Sequence, residues 1–129
     1  MADQSPTVLI VDDNEDIRDA LRLLFELDDF DVVGEAENGI EALALALKYR
    51  PTFVVLDAQM PVLSGELAAI QLRALVPEAA IICFSGVEPT KPEWADHFLS
   101  KSRLSELSPL LHRLASLGAK SIDARMSSV

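Results

Sequence analysis

Three short apolar runs constrain this chain most: VLIV (8–11), FVVL (53–56) and AIICF (80–84). None of them alternates apolar with polar residues. A strand built from any of them is apolar on both faces and has to be covered on both. That is the pattern of a parallel sheet between two layers of helices, not of an antiparallel sheet with one wet face. A weaker run, HFLS (97–100), and a half-polar one, FDVVGEA (30–36), supply two further strands.

Between the runs, apolar residues recur at helical spacing. Ile17, Ala20, Leu21 and Leu24 mark a helix ending near Leu27, and Ile40, Leu43 and Leu47 mark one from Gly39 to Lys48, stopped by Pro51. Leu67, Ile70 and Ala74 mark a third from Gly65 to Leu75, ending before Pro77. Leu107, Leu110, Leu111 and Leu114 mark a last one from about Leu104 to Leu117, with Gly118 just beyond. Pro109 either follows a Ser108 cap as the first helical residue or sits in the opening turn. Strands alternating with helices predict βαβ units with right-handed crossovers. The rhythm breaks between Ser85 and Lys101, where GVEPTKPEWADHFLS carries two prolines and leaves no room for a regular helix. A loop or a single short turn is expected there, with Pro89 and Pro92 stiffening it and Trp94 partly buried as a plug. The ending AKSIDARMSSV (119–129) is polar and reads as a frayed tail after one domain at 1–118.

Composition narrows the function. Half the residues are hydrophobic, enough for a real core, while the net charge of −10 argues against a nucleic-acid backbone or an anionic membrane as partner. Cys83, the only cysteine, lies inside an apolar run and reads as a core thiol; one cysteine makes no internal disulfide. The start MADQSPT has neither the basic residues nor the apolar core of a signal peptide, and no run approaches a membrane span. Together these predict a cytoplasmic protein.

The polar residues that end the strands carry the chemistry. VLIV runs into Asp12 and Asp13, FVVL into Asp57, AIICF into Ser85 and HFLS into Lys101. In an open α/β sheet, ligands bind beyond the carboxyl ends of the strands, at the topological switch point. If the first and third strands are neighbours there, three carboxylates meet in one crevice, and they tolerate each other only with a cation among them. Hard oxygen ligands suit Mg2+. With a lysine and a hydroxyl alongside, such a site takes a phosphoryl group, and Asp57 serves as the nucleophile. Singly, each residue has a plainer use: Asp13 or Asn14 as a helix cap, Ser85 as a loop hydroxyl, Lys101 as solvated surface with Lys91 as a rival. His97 and His112 lack ligand spacing and read as structural.

These residues resemble the receiver domain of two-component response regulators over about 7–118. The resemblance rests on VLIVDDN (8–14), LDAQMP (56–61) with Gly65 four residues on, FSG (84–86) and FLSK (98–101), with AENGIEAL (36–43) at the second strand–helix junction. It implies a flavodoxin-like, doubly wound five-stranded parallel sheet of order 2-1-3-4-5, with the helix between the fourth and fifth strands here shortened or missing. It implies that Asp57 accepts a phosphoryl group from a sensor histidine kinase or a histidine phosphotransfer protein, in self-catalysed transfer and autodephosphorylation rather than as an enzyme. Asp12, Asp13, Asp57 and the Gln59 backbone carbonyl would hold Mg2+; Lys101 would pair with the phosphoryl oxygens. Ser85 and Phe98 would be the switch pair, and Gln59 and Val87 would modulate loss of the phosphoryl group. The output partner is unspecified, and the implied state is a monomer or a phosphorylation-dependent dimer.

Two features depart from the family. The lysine is usually followed by proline, often after a cis bond; here Ser102 follows, and a cis bond before a non-proline residue costs about 3 kcal/mol. The short Ser85–Lys101 interval remodels the usual output face. Other readings are a receiver-fold interaction module that does not switch by phosphorylation, and the N-terminal receiver of a longer transcription regulator or hybrid kinase; a stand-alone regulator is the expectation. An aspartyl-phosphate hydrolase of the haloacid dehalogenase type would need an Asp-x-Asp nucleophile after the first strand, and a flavodoxin-type FMN site would not be acidic there.

Overall fold

The structure, a computed structural model, describes residues 5–86 and 90–118. Five parallel strands form one sheet in the order β2-β1-β3-β4-β5, as the resemblance implied. They are β1 (Thr7–Val11), β2 (Asp31–Ala36), β3 (Phe53–Leu56), β4 (Ala80–Ser85) and β5 (His97–Ser100). Helices α1 (Glu15–Leu27), α2 (Gly39–Tyr49), α3 (Gly65–Leu75) and α4 (Leu107–Leu117) cover the faces. Every residue of β3 and β4 is buried, which is why their sequences show no alternation.

Successive side chains of one strand serve different layers. Val8, Ile10, Phe53, Val55, Ile82 and Phe84 pack with Leu21 and Phe25 of α1 and Leu107, Leu111 and Leu114 of α4. Leu9, Val11, Val54, Leu56 and Ile81 pack on the opposite face with Ala42 and Ala46 of α2 and Ala68, Ala69 and Leu72 of α3. A third, smaller cluster joins Ala58, Cys83 and Ala95, with Trp94 and Phe98 half-buried against it.

Helix boundaries follow local chemistry. Asn14 caps α1 by accepting from the amides of Asp16 and Ile17. Asn38 caps α2 through the Glu41 amide, and Ser64 caps α3 through that of Leu67. The last helix differs from the sequence expectation of a start at about Leu104. Lys101–Glu106 is a 3-10 stretch with non-helical backbone at Arg103, and α4 proper begins at Leu107. Pro109 therefore sits in the opening turn, where its missing N–H costs nothing, and Ser108 is a buried helical residue rather than a cap.

Helices α1, α2 and α3 stand where the spacing placed them, but the buried faces of α2 and α3 are not the large apolar residues that marked them. In α3 the residues facing the sheet are Ala68, Ala69 and Leu72, whereas Leu67 and Ile70 are 53% and 52% exposed. In α2 the buried set is Gly39, Ala42 and Ala46, with Ile40 and Leu47 facing outward. In α1, Leu21 and Phe25 are buried and Ala20 is exposed. Alanine lets α2 and α3 settle close to the sheet, so the larger residues of these helices remain at the surface.

No helix lies between β4 and β5 among the described residues; Glu93 and Trp94 form a turn there. Arg73 of α3 donates to the Trp94 carbonyl at 2.8 Å and pairs with Asp96 at 3.1 Å. Asp96 in turn accepts from the Ile81 amide at 2.8 Å, tying the connection to β4. Val87, Pro89 and the tail 119–129 lie outside the described residues.

Candidate functional site

Because β1 and β3 pair directly, with Val11 opposite Leu56, the residues that follow them emerge side by side. Asp12, Asp13 and Asp57 each offer a carboxylate oxygen within 4.8 Å of the others. Asp12 and Asp57 are buried and Asp13 is exposed. Asn14 takes the capping role, leaving both acids to the crevice. The Asp12 carboxylate accepts from the Asn14 amide at 2.9 Å, and Asp57 from the Gln59 amide at 3.4 Å.

Lys101, carried in by β5, lies 2.8 Å from Asp12 and 3.5 Å from Asp57. Its rival Lys91 instead donates to the Ala95 carbonyl at 3.0 Å. Burial works against the Lys101 ammonium, but the hydrogen bond to Asp12 and the charges of Asp57 and Asp12 outweigh it and raise its pKa. Burial also raises the pKa of Asp57, and the charge of Asp12 adds to this; Lys101 and the Gln59 amide pull the other way. One ammonium thus pairs with two of the three carboxylates, and the site carries an excess of negative charge.

Ser85 ends β4 fully buried, opposite Ser100 of β5 in the register. Phe98 is half-buried against the Ala58–Cys83–Ala95 cluster, which starts one residue after Asp57. Gln59 is exposed beside the acid cluster. The sequence thus brings Asp12, Asp13, Asp57 and Lys101 together as expected, with Ser85 at the end of the neighbouring strand; Val87 alone lies outside the described residues. Every described peptide bond is trans, Lys101–Ser102 included. His112 is structural, its Nε2 2.9 Å from the Asp28 carbonyl and its ring stacked on Phe30.

Two further residues shape the site: Arg18, which the sequence reading passed over, and Gly65, which it noted only at the start of a helix and as part of the resemblance. Arg18, on the first turns of α1, donates to the Asp12 carbonyl at 2.6 Å and pairs with Glu35 of β2 at 3.4 Å. It fixes the backbone that presents the acid pair, and no strand-end rule points to a helical arginine. Gly65 accommodates the loop after β3: a Cβ there would collide with the Asp57 carbonyl oxygen and lie 2.8 Å from the Ala58 Cα. Its amide closes the same loop on the Ala58 carbonyl at 3.1 Å.

Three hard oxygen donors this close together fit a small divalent cation such as Mg2+, whose ligand oxygens stand at about 2.1 Å. Fold and site therefore define an open α/β protein with an acid crevice at the switch point between β1 and β3. The chain belongs to the response regulator receiver domain family, which it matches over residues 8–102. Among its relatives are the transcription regulator BvgA of Bordetella pertussis, 37% identical over 83 residues that make up 64% of this chain and 40% of BvgA, and the chemotaxis protein CheY of Halobacterium salinarum, 36% identical over 80 residues, 62% of this chain and 66% of that one. The chain spans about 40% of the length of the first-matched curated relatives. Among solved structures, the response regulator TrrA of Thermotoga maritima, in complex with Mg2+ and a beryllium fluoride, is 28% identical with a TM-score of 0.76, over 84% of this chain and 97% of that one. The response regulator domain of Thermotoga maritima CheB, 23% identical with a TM-score of 0.78 over 90% and 97% of the two chains, shares the fold.

Proposed function

We propose that this domain is a phosphorylation-controlled switch that takes a phosphoryl group onto Asp57 from a phosphohistidine of a sensor kinase or phosphotransfer protein. The observation that carries this reading is the Lys101 ammonium beside Asp12 and Asp57 in a cluster of three carboxylates. An Asp57 carboxylate oxygen attacks phosphorus, the P–N bond breaks and its electron pair returns to the imidazole, leaving an acyl phosphate on Asp57. Asp12, Asp13, Asp57 and the Gln59 carbonyl would hold Mg2+, which when bound neutralises phosphoryl oxygens. Lys101, already beside Asp57, would pair with those oxygens. Ser85 would hydrogen-bond the phosphoryl group, and Phe98 would respond to it. Gln59, exposed beside Asp57, would with Val87 modulate loss of the phosphoryl group.

The domain is read as residues 1–118, a cytoplasmic, self-phosphorylating partner rather than an enzyme acting on other substrates. No helix among the described residues is long and apolar enough to cross a membrane. The reading is tested by intact mass after incubation with acetyl phosphate. It requires one added phosphoryl group that depends on Mg2+ and is lost in Asp57→Asn; no adduct in a folded protein counts against it. A second reading, an interaction module that does not switch, is favoured by the connection between β4 and β5, which holds no helix among the described residues. It requires partner binding to be unchanged in Asp57→Asn.

A further inference from the structure

Parallel strands are usually joined by a crossover of a dozen or more residues, most often a helix. Between Ser85 and His97 the chain has only residues 86–96. On this face of the sheet α2 and α3 cover the central strands, but beyond α3 the cover is Trp94 and Ala95 instead of a helix. The outer flank of α3 is left open as a groove of about 300 Å3, lined by Glu66, Ile70, Arg73, Glu93 and Trp94. Ile70 is 52% exposed on its floor, and Leu67 continues the apolar stripe at 53%. Large apolar side chains in a row at the surface of a helix mark a contact surface more often than scattered ones do.

The rim decides what fits. Glu66 and Glu93 are exposed acids. The Arg73 guanidinium is committed to Asp96 and to the Trp94 carbonyl, so it does not offset them. The groove is therefore apolar with an acidic edge. A second copy of a chain with net charge −10 would bring more negative charge to it. We propose that this groove receives a basic amphipathic helix of another protein, lying where a crossover helix would stand, since none lies between β4 and β5 among the described residues. The mode is helix-in-groove, with apolar anchors at i, i+3 and i+4 against Ile70 and Trp94 and lysines or arginines facing Glu66 and Glu93. Trp94 also packs against the cluster of Ala58, Cys83 and Ala95, so the bound helix rests on the cluster that begins one residue after Asp57.

Trp94 is the only tryptophan and reports directly. The probes are a synthetic leucine–lysine helix of about four turns, roughly 14 residues, a scrambled peptide of the same composition, and a leucine–glutamate counterpart. The expected result is a saturable Trp94 fluorescence change with the leucine–lysine helix alone. Ile70→Asp, shown folded by circular dichroism, weakens it by about tenfold or more. Leu23→Asp, on the exposed face of α1, leaves it unchanged. Glu66→Lys with Glu93→Lys transfers the preference to the glutamate peptide. Equal binding of scrambled and patterned peptides overturns the proposal, as does indifference to Ile70→Asp. Concentration-dependent self-association that Ile70→Asp abolishes also overturns it, because the occupant is then a second copy.

Discussion

Replacing Asp57 by asparagine removes the group on which the proposed chemistry depends, and it is expected to make the metal-free protein more stable. The side chain is 8% exposed, so its charge is held largely away from water. Its oxygens lie within 4.8 Å of those of Asp12 and Asp13. At such a spacing and an effective dielectric near 20, each like-charge pair costs about 3.5 kcal/mol. Lys101, at 3.5 Å, is the only cation among the described residues that ion-pairs with Asp57. On the same scale it returns about 5 kcal/mol. Asp13 is exposed, and solvent weakens its share. The repulsions still exceed the attraction by about 1–2 kcal/mol, and burial adds in the same direction. Asp57→Asn should therefore gain about 1–3 kcal/mol at pH 7 without Mg2+, or roughly 4–12 °C in Tm for a domain of this size.

The pH dependence has a definite sign. Asp57 has a raised pKa in the folded state, so stability from its protonated form is complete below the ordinary aspartate value of about 3.9 and is lost as pH rises through the raised value. The advantage of Asp57→Asn should be full above that raised value and vanish below about pH 4. Mg2+ should narrow the gap by stabilising the wild type. Urea unfolding at several pH values, with EDTA or Mg2+, reads all three effects. A variant no more stable than wild type at pH 7 in EDTA, or a gap that persists into acid, refutes the electrostatic reasoning.

Other consequences follow from the same contacts. Lys101→Met leaves Asp12 and Asp57 without their ion-pair partner and should cost about 2 kcal/mol at pH 7 after allowance for partial exposure; the deficit should shrink as Asp57 protonates in acid, as read by urea unfolding across pH. Gly65→Ala drives a methyl group into the Asp57 backbone and should cost about 2–3 kcal/mol while slowing phosphoryl uptake, followed by denaturation and by intact mass. Asn14→Ala removes the cap of α1 and should cost about 1 kcal/mol in thermal unfolding without affecting the Asp57 carboxylate directly. Arg73→Ala should release the connection between β4 and β5 and make Trp94 more accessible to acrylamide quenching, with little change in phosphoryl uptake.

Much of this architecture was legible because both-face burial leaves a plain mark. VLIV, FVVL and AIICF could only be covered strands, and the polar residues ending them had to gather where β1 and β3 meet. The two prolines after Ser85 likewise excluded a regular helix. The inward faces of α2 and α3 were not legible, because large apolar residues draw attention from alanines. Ala42, Ala46, Ala68 and Ala69 form the buried faces, and a period-3.6 pattern alone does not say which of two apolar stripes is turned inward. Arg18 and Arg73 were invisible for another reason: each acts through a backbone carbonyl brought close only by the fold. The 3-10 entry to α4 was masked by the leucine repeat that continues through Leu104 and Leu107.

The central claim is that the phosphoryl group resides on Asp57 rather than on either neighbouring acid. An acyl phosphate is reduced by borohydride to an alcohol, which turns an aspartyl phosphate into homoserine. After treatment with acetyl phosphate and Mg2+, borohydride reduction and peptide mass mapping should place homoserine at position 57 alone. Homoserine at position 12 or 13, or none anywhere in a folded and Mg2+-loaded protein, would contradict the account.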